Sequence, residues 1–276
     1  MTSTTQEAGK QLADLMRGRT TMVVAGAGMS TDAGLPDYRG TGSSGTPTVD
    51  YDLFMSDKKW QRWVWQRNQE TWRAVTRLQP TPAHRVVAKW QAEGLVNGVA
   101  TQNVDGLDAR AGIKDPMLLH GTFALVNCTG CGSQFPREDV DEWMRKLNPN
   151  VVDDPDPAHC AILAEADEAG ADASTFEPAP CPKCGGVLKP DVVFFGEMLP
   201  MEAMSRAYAA AAAADVVLAL GTSLLVGTGL WVVSEGLQSG ADFAIVNLGP
   251  TAADNYATLR IEGNVSDILQ AADQAL

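Results

Sequence analysis

Four of the five cysteines stand in two C-x-x-C pairs, Cys128 and Cys131 in "CTGC" and Cys181 and Cys184 in "CPKC". Two thiolates at that spacing grip one face of a tetrahedral ion, and four close it. The expected chemistry is one structural Zn2+ with no open catalytic position; redox or disulfide use is the competing reading. Gly132 follows the first pair, and Gly185 and Gly186 follow the second. Such glycines allow the tight turn that aims backbone N–H groups at sulfur. The pairs are separated by 49 residues, against roughly 15–20 in a compact zinc ribbon. The acidic, alanine-rich stretch between them must be a folded excursion or a loop. Cys160 within it reads as a spectator thiol.

The second group is the run "VVAGAGMSTDAGLPDYRG" at residues 23–40. It opens like the phosphate-binding turn of a dinucleotide fold, with Gly26 and Gly28 in place. The third position of the G-x-G-x-x-G fingerprint is Thr31, and the next glycine is Gly34. Hydride-transfer sites also want an acid about 20 residues further on, where this chain has the break "TGSSGTPT". A dehydrogenase is therefore the last choice. The turn is expected to hold a dinucleotide by backbone N–H groups, with "LPDYRG" running on over it as a lid.

These groups need elements to hold them. The apolar run "TTMVVAGAG" reads as a buried strand ending in a turn, and so do "VNGVATQN", "PMLLHG", "DVVLALG" and "DFAIVNLG". Helices are expected at residues 11–19 and 51–77, and in "PTPAHRVVAKWQAEGL", "MEAMSRAYAAAAAA" and "LWVVSEGLQSG". Trp60, Trp63, Trp65 and Trp72 partly share one helical face, a pattern of core packing. Strands alternating with helices imply an α/β fold, a Rossmann-like parallel sheet with helices on both faces. Residues 1–45, 85–125 and 187–276 are assigned to that large domain. The helical module 46–84 and the cysteine module 126–186 are assigned to a smaller one. Ligands of open α/β sheets sit outside the carboxyl ends of the strands. The ends "AGAG", "TQN", "LHG", "LGTS" and "VNLG" are therefore candidate walls of one site.

The chain has 276 residues, 45% of them apolar, and a formal net charge of −13. That balance opposes contact with a phosphate backbone, so no nucleic-acid partner is expected. The acid is concentrated in "REDVDEW", "VVDDPDPAHC" and "EADEAGADAS". Such runs are solvated surface by default; the alternative is a field that attracts basic polypeptides. No apolar run approaches the ~20 residues that span a bilayer. The N-terminal stretch lacks the basic-then-apolar pattern of a leader. No membrane association, a cytoplasmic location and a monomer are the expectations.

"GAGMSTDAGLPDYRG", "TQNVDGL", "LHG", the two cysteine pairs, "KPDVVFFGE", "GTSLLV" and "VNLG" follow one another in the order and spacing of the sirtuin family. The chain resembles that family from about residue 20 to residue 269. "KPDVVFFGE", "TPAH" and "VNLGPT" look most like its class II branch. The resemblance implies an NAD-dependent protein-lysine deacylase acting on acyl-lysine proteins or peptides. It implies that Gly26, Ala27, Gly28 and Ser30 cradle the pyrophosphate. Ala33, Asp37, Tyr38 and Arg39 would form a loop over the nicotinamide ribose, and Gln102 would touch a ribose. Asn103 and Asp105 would line the nicotinamide pocket, and His120 would be the general base. Gly221, Thr222 and Ser223, with Asn247 and Gly249, would hold the adenosine half, and Val265 would offer backbone to the adenine. Val193 and Phe195 would line the acyl-lysine tunnel, while Phe195, Gly196 and Glu197 would pair edgewise with the substrate backbone.

In the reaction that the resemblance implies, the weakly nucleophilic amide oxygen of acyl-lysine attacks the nicotinamide ribose. Excluding water and twisting the nicotinamide favour that step, a task suited to a closing lid with Tyr38. A ribose hydroxyl must then lose a proton, and an imidazole with a pKa of roughly 6.5 is the natural acceptor. His120 sits at a strand end beside Gly121, within reach of the cleft. Of the other two histidines, His84 reads as helix-start packing and His159 as an exposed residue of the excursion. Asn103 and Asp105, taken alone, read first as turn formers; the resemblance makes them contacts of the nicotinamide.

Two departures from the family stand out. Asp108 occupies a place where the family often has histidine, in "DGLDARAG". The Tyr-x-x-Arg pair that selects acidic acyl groups in the class III branch is represented by Val64 and Arg67. Succinyl or malonyl preference is therefore not expected, and acetyl or larger and branched acyl groups are. The competing activities are protein mono-ADP-ribosylation, which uses the same ribosyl electrophile, and a non-catalytic NAD-sensing module, against which His120 argues.

Overall fold

The computed structural model describes residues 3–36, 47–151, 155–156 and 164–276. The chain begins with α1 (Ser3–Met16) and β1 (Thr21–Ala25), then two short 3-10 turns at Ala27–Met29 and Thr31–Ala33. Next come α2 (Tyr51–Ser56), α3 (Lys58–Arg77), α4 (Pro82–Ala92), β2 (Val96–Thr101), α5 (Leu107–Arg110) and β3 (Met117–Leu118). The middle holds β4 (Gly121–Cys128), β5 (Gln134–Pro136), α6 (Arg137–Leu147), α7 (Glu168–Ala173) and β6 (Leu188–Val192). The remainder is α8 (Met201–Ala212), β7 (Val216–Leu220), α9 (Gly227–Gln238), β8 (Asp242–Asn247), β9 (Leu259–Glu262) and α10 (Val265–Ala275).

Six strands form a parallel sheet in the order β3-β2-β1-β7-β8-β9. β1 and β7 are buried along their whole length, as the apolar runs require of strands covered on both faces. One face packs Val23, Leu218, Ala244 and Val246 against Leu12, Met16, Trp90, Ile268 and Leu269 of α1, α4 and α10. The other packs Met22, Val217, Phe243 and Ile245 against Met204, Ala211 and Val233 of α8 and α9. The doubly covered sheet is the one expected. β9 was not foreseen: "LRIE" is a short edge strand whose charges interrupt the apolar signal.

A second, antiparallel sheet has the order β5-β4-β6. β4 runs across the expected boundary at 125/126, and β6, counted with the large domain from sequence, pairs here. The helices of 51–77 and the cysteine segment share one core. Phe54, Trp60, Val64, Trp65 and Trp72 pack with Phe123, Val126, Phe135, Met144, Phe176 and Phe194. At its centre the fully buried Arg137 guanidinium lies 4.8 Å from the Trp65 ring and 5.2 Å from the Trp72 ring. The 51–77 helix is two helices. Asp57 interrupts it, and its carboxylate accepts from the Lys59 amide as the cap of α3, a break that neither glycine nor proline announces. The first helix spans Ser3–Met16 rather than 11–19, and Gly18 in the left-handed region turns the chain after it. Among the described residues, no helix is long and apolar enough to cross a membrane.

Candidate active site and metal centre

The strand order reverses between β1 and β7, and both strands run directly into glycine. This is the switch point where an open α/β sheet forms its crevice. A Cβ on Gly28 would lie 2.6 Å from Gly221 Cα, and one on Gly26 would lie 2.6 Å from Thr222 Cβ. The two turns thus touch backbone to backbone. The Gly26, Gly28, Met29 and Ser30 amides donate to the Leu220, Gly221, Gly26 and Ala27 carbonyls at 2.8–3.0 Å. These four amides are taken up inside the fold, and close packing of the two turns needs the glycines here. Ala33 closes the second 3-10 turn. Asp37, Tyr38 and Arg39 of the expected lid lie outside the described residues, as do His159 and Cys160.

β2 delivers the next group. The Gln102 amide donates to Ala25 O at 3.0 Å, and its side chain donates to Thr222 Oγ1 at 2.9 Å, bridging β1, β2 and β7. Asn103 Nδ2 donates to Gly26 O at 2.9 Å and to Ser30 Oγ at 3.3 Å. Ser30 donates in turn to Asp105 Oδ2 at 2.7 Å, and the Leu107 amide donates to Asp105 Oδ1 at 2.8 Å. Burial raises the proton affinity of Asp105; the Leu107 and Ser30 hydrogen bonds and the Arg110 charge oppose it.

His120 follows β3. Gly121, at φ 78, places it where a side chain at 121 would strike the Asp191 carbonyl. His120 Nδ1 lies 3.0 Å from Gln102 O, and Nε2 lies 2.6 Å from Thr228 Oγ1. A carbonyl only accepts, so the network assigns the proton to Nδ1 and leaves Nε2 as the basic nitrogen, accepting from the hydroxyl. Burial holds the pKa of His120 below the ordinary histidine value, against the opposing Gln102 hydrogen bond. The ring is neutral at pH 7. Thr228 escaped the sequence reading: it is 108 residues from its partner, and one threonine at a helix start carries no local signal.

The adenosine-side residues are the ends of β7 and β8. Thr222 is buried and its hydroxyl also accepts from Leu224 N, while Ser223 O accepts from Ala252 N. Asn247 is buried and donates to Leu248 O and Gly249 O. Arg260 of β9, also missed from sequence, grips Gly249 O and Asp254 and so fixes this loop. Val265 is buried at the start of α10. From β3 to β8 the strand ends span about 19 Å at ~4.8 Å per strand, the reach of an extended ligand rather than a small one.

On the substrate side, the Val193 amide donates to His120 O at 2.9 Å, and Phe195 is half exposed. Gly196 has φ 85, and Glu197 folds back so that Oε2 accepts from the Phe194 amide at 2.7 Å and pairs with buried Lys189 at 2.9 Å. Its carboxylate fastens its own turn. This turn adjoins a cavity of about 650 Å3 that Val193, Glu197 and Met198 help to line.

The four cysteine Sγ atoms lie within 4.8 Å of one another, with Cys128–Cys184 at 3.4 Å and Cys131–Cys181 at 3.9 Å. Tetrahedral Zn–S bonds of about 2.3 Å set sulfurs about 3.8 Å apart, so the set fits one zinc ion. Gly132 and Gly185, both at positive φ, donate back to Cys128 O and Cys181 O and close the two turns. The Gly186 amide reaches Cys184 Sγ at 3.4 Å. A site closed by four thiolates is structural.

A doubly wound sheet with a crevice at its switch point, joined to a four-thiolate module, defines a nucleotide-binding α/β protein with a structural metal site. Residues 26–228 match the Sir2 family, and the chain belongs to that family. It is 36% identical over 260 residues to NAD-dependent protein deacetylase 1 of Mycobacterium avium (strain 104), covering 94% of this chain and 92% of that one. It is 36% identical to NAD-dependent protein deacylase SRT2 of Arabidopsis thaliana, covering 90% of this chain and 70% of that one. A solved structure described as Sir2 with a p53 peptide and NAD+ superposes with a TM-score of 0.74 at 29% identity, covering 96% of this chain and 97% of that one. A Sir2Tm structure bound to a propionylated peptide gives 0.73 at 28% identity, covering 96% and 97%.

Proposed function

We propose that this protein removes acyl groups from protein lysines at the expense of NAD. The observation that carries this reading is His120: a neutral imidazole at the sheet's carboxyl edge, its Nδ1 tied to Gln102 and its basic Nε2 free to exchange one hydroxyl partner for another. Bound NAD would supply the electrophilic ribose carbon for the acyl-lysine oxygen; nicotinamide leaves with the glycosidic electron pair, and one water is consumed as the amide C–N bond breaks, freeing lysine and leaving the acyl group on ADP-ribose. His120 Nε2 takes the proton of the ribose hydroxyl, displacing Thr228. Asn103 and Asp105 hold the nicotinamide amide, with Ser30 and the Leu107 amide fixing the Asp105 carboxylate. Gln102, tied to Thr222, faces a ribose. Gly26 and Gly28, packed on Gly221, let the pyrophosphate approach the backbone beside Ala27 and Ser30. Ala33, which closes the second 3-10 turn, borders the nicotinamide ribose. Thr222, Ser223, Asn247, Gly249 and Val265 hold the adenosine. Val193 and Phe195 guide the acyl-lysine, and the Phe195–Gly196 backbone pairs with the substrate strand.

The helices α2 and α3 with the β5-β4-β6 sheet and its cysteine turns act as the small domain, and the six-stranded sheet with its helices acts as the NAD-binding domain. Arg67 is paired with Glu70 at 3.3 Å, and Val64 is buried, which favours uncharged acyl groups. The protein acts in the cytoplasm as a monomer, without nucleic acid or membrane.

An acyl-lysine peptide panel incubated with NAD and followed by mass spectrometry tests the reading. Nicotinamide, free-lysine peptide and O-acyl-ADP-ribose in equal amounts are expected. Retention of the NAD label on protein would favour mono-ADP-ribosylation, and no nicotinamide release on any peptide would favour an NAD-sensing module.

A further inference from the structure

Lysine is rarely buried without a partner, and Lys189 of β6 is buried. Its ammonium has three protons to give and finds three acceptors: Pro190 O at 2.9 Å, Val192 O at 2.7 Å and Glu197 Oε2 at 2.9 Å. It also lies 4.5 Å from the centre of the Phe194 ring, which meets Phe54 of α2 edge-on at 5.5 Å. These acceptors and the ring belong to the segment that leads into and forms one four-residue turn, residues 194–197. The Glu197 amide donates to Phe194 O at 3.1 Å, and the Phe194 amide donates back to Glu197 Oε2 at 2.7 Å. Gly196, third in the turn, has φ 85, as a type II turn demands. The Tyr51 amide of α2 donates to Phe195 O at 3.0 Å, so α2 and β6 both fasten this turn.

A buried ion pair gives a fold little net stability, because desolvation offsets its attraction. What this one supplies is geometry: Lys189 satisfies all three protons only with the turn folded back on β6. We propose that Lys189 is a positioning residue for the acyl-lysine peptide: it holds the 194–197 turn, with the Phe195 side chain and the Gly196 backbone, in the shape that the substrate strand pairs with. The consequence for the peptide rests on the deacylase reading; the hold on the turn stands apart from it. Without the ammonium, the Glu197 carboxylate keeps the Phe194 amide and loses its counter-charge while its side chain is only 17% exposed. It swings out to water and releases the Phe194 amide, and the turn loosens. The glycine turn and the ends of β1, β2, β7 and β8 make no contact with this pair, so NAD binding is left as it was.

Lys189→Met keeps an unbranched side chain and removes the charge. In the full chain, KM for an acetyl-lysine peptide should rise roughly ten- to a hundredfold, the scale of one hydrogen bond to a charged group. KM for NAD and kcat should stay within about threefold. An unchanged peptide KM overturns the inference, and so does an equal loss for both substrates, which a general structural role would give. Glu197→Gln keeps an oxygen for the Phe194 amide but no charge. It should raise the peptide KM as well, and the double variant should be no worse than the worse single, because the two side chains act as one pair. Effects that multiply overturn the inference. Native-state hydrogen exchange reads the turn itself: the Phe194 and Glu197 amides should exchange about tenfold faster in either variant, with the β7 amides unchanged. Equal protection in the variants and the wild type overturns the inference. If no protein turns over any acyl-lysine peptide, the deacylase reading fails, and the exchange measurement still decides the hold on the turn. If Lys189→Met does not fold, the exchange of Glu197→Gln decides it.

Discussion

Replacing Thr228 by valine removes one hydroxyl and keeps the branched shape of the side chain. Thr228 is 5% exposed and its Oγ1 lies 2.6 Å from His120 Nε2, so solvent is poorly placed to replace it. The hydroxyl donates to a lone pair that only the neutral imidazole has, so its removal disfavours the neutral, base-competent ring. A net hydrogen bond is worth about 0.5–1.5 kcal/mol, which predicts a roughly two- to tenfold fall in kcat/KM on the acidic limb of the pH profile. On the alkaline plateau His120 is neutral in both proteins, and the variant should stay within about threefold of wild type. The assay is chromatographic separation of acetylated and deacetylated peptide, with NAD varied at each pH. An unmoved acidic limb would show that Thr228 does not hold Nε2. An equal loss at every pH would show that it acts on the substrate or the fold instead.

Three further outcomes follow from the same geometry. Removing zinc with a chelator should unfold the three-stranded sheet and change tryptophan fluorescence, since Trp65 Nε1 donates to Leu188 O beside the second cysteine pair; a change in kcat on exchanging Zn2+ for Co2+ in folded protein would contradict a structural metal. Arg137→Ala removes a cation from between two indole rings and its bonds to Asn68 and Gln69, a loss of about 3–5 kcal/mol read by urea unfolding; a loss under about 1 kcal/mol would show the site relaxes freely. Burial lowers the pKa of His84 to about 4, so the unfolded chain binds its proton first as pH falls. The stability this group contributes is complete above about pH 6.5 and is lost toward pH 4, by about 3 kcal/mol; His84→Gln should flatten that part of the urea-stability profile, and an unchanged slope would contradict it.

The sheet and the crevice were legible because each strand announces itself twice, by an apolar run and by the small or polar residue that ends it. The metal site was legible because four cysteines at fixed spacing have few other uses. What sequence hid was made of pairings between distant segments. β4 finds β6 across more than half a hundred residues, and nothing local in "LKPDV" says that it leaves the large sheet. The Asp57 break is a single side-chain cap inside a run of helix formers. Thr228 acts on a residue 108 positions away in the chain, so its role exists only in the fold, while Arg260 fastens its own loop, where a lone basic residue carries no signal. One task of the glycine turn, the close packing of two turns, depends on Gly221 and cannot be read from the turn alone.

The most direct test of the account is the product balance of His120→Tyr beside wild type, with NAD and an acetyl-lysine peptide. The account predicts that the variant keeps its fold and loses O-acetyl-ADP-ribose formation by about 10^2–10^4-fold, the usual contribution of a positioned acid–base group. A folded variant that still forms the product at the wild-type rate would contradict it.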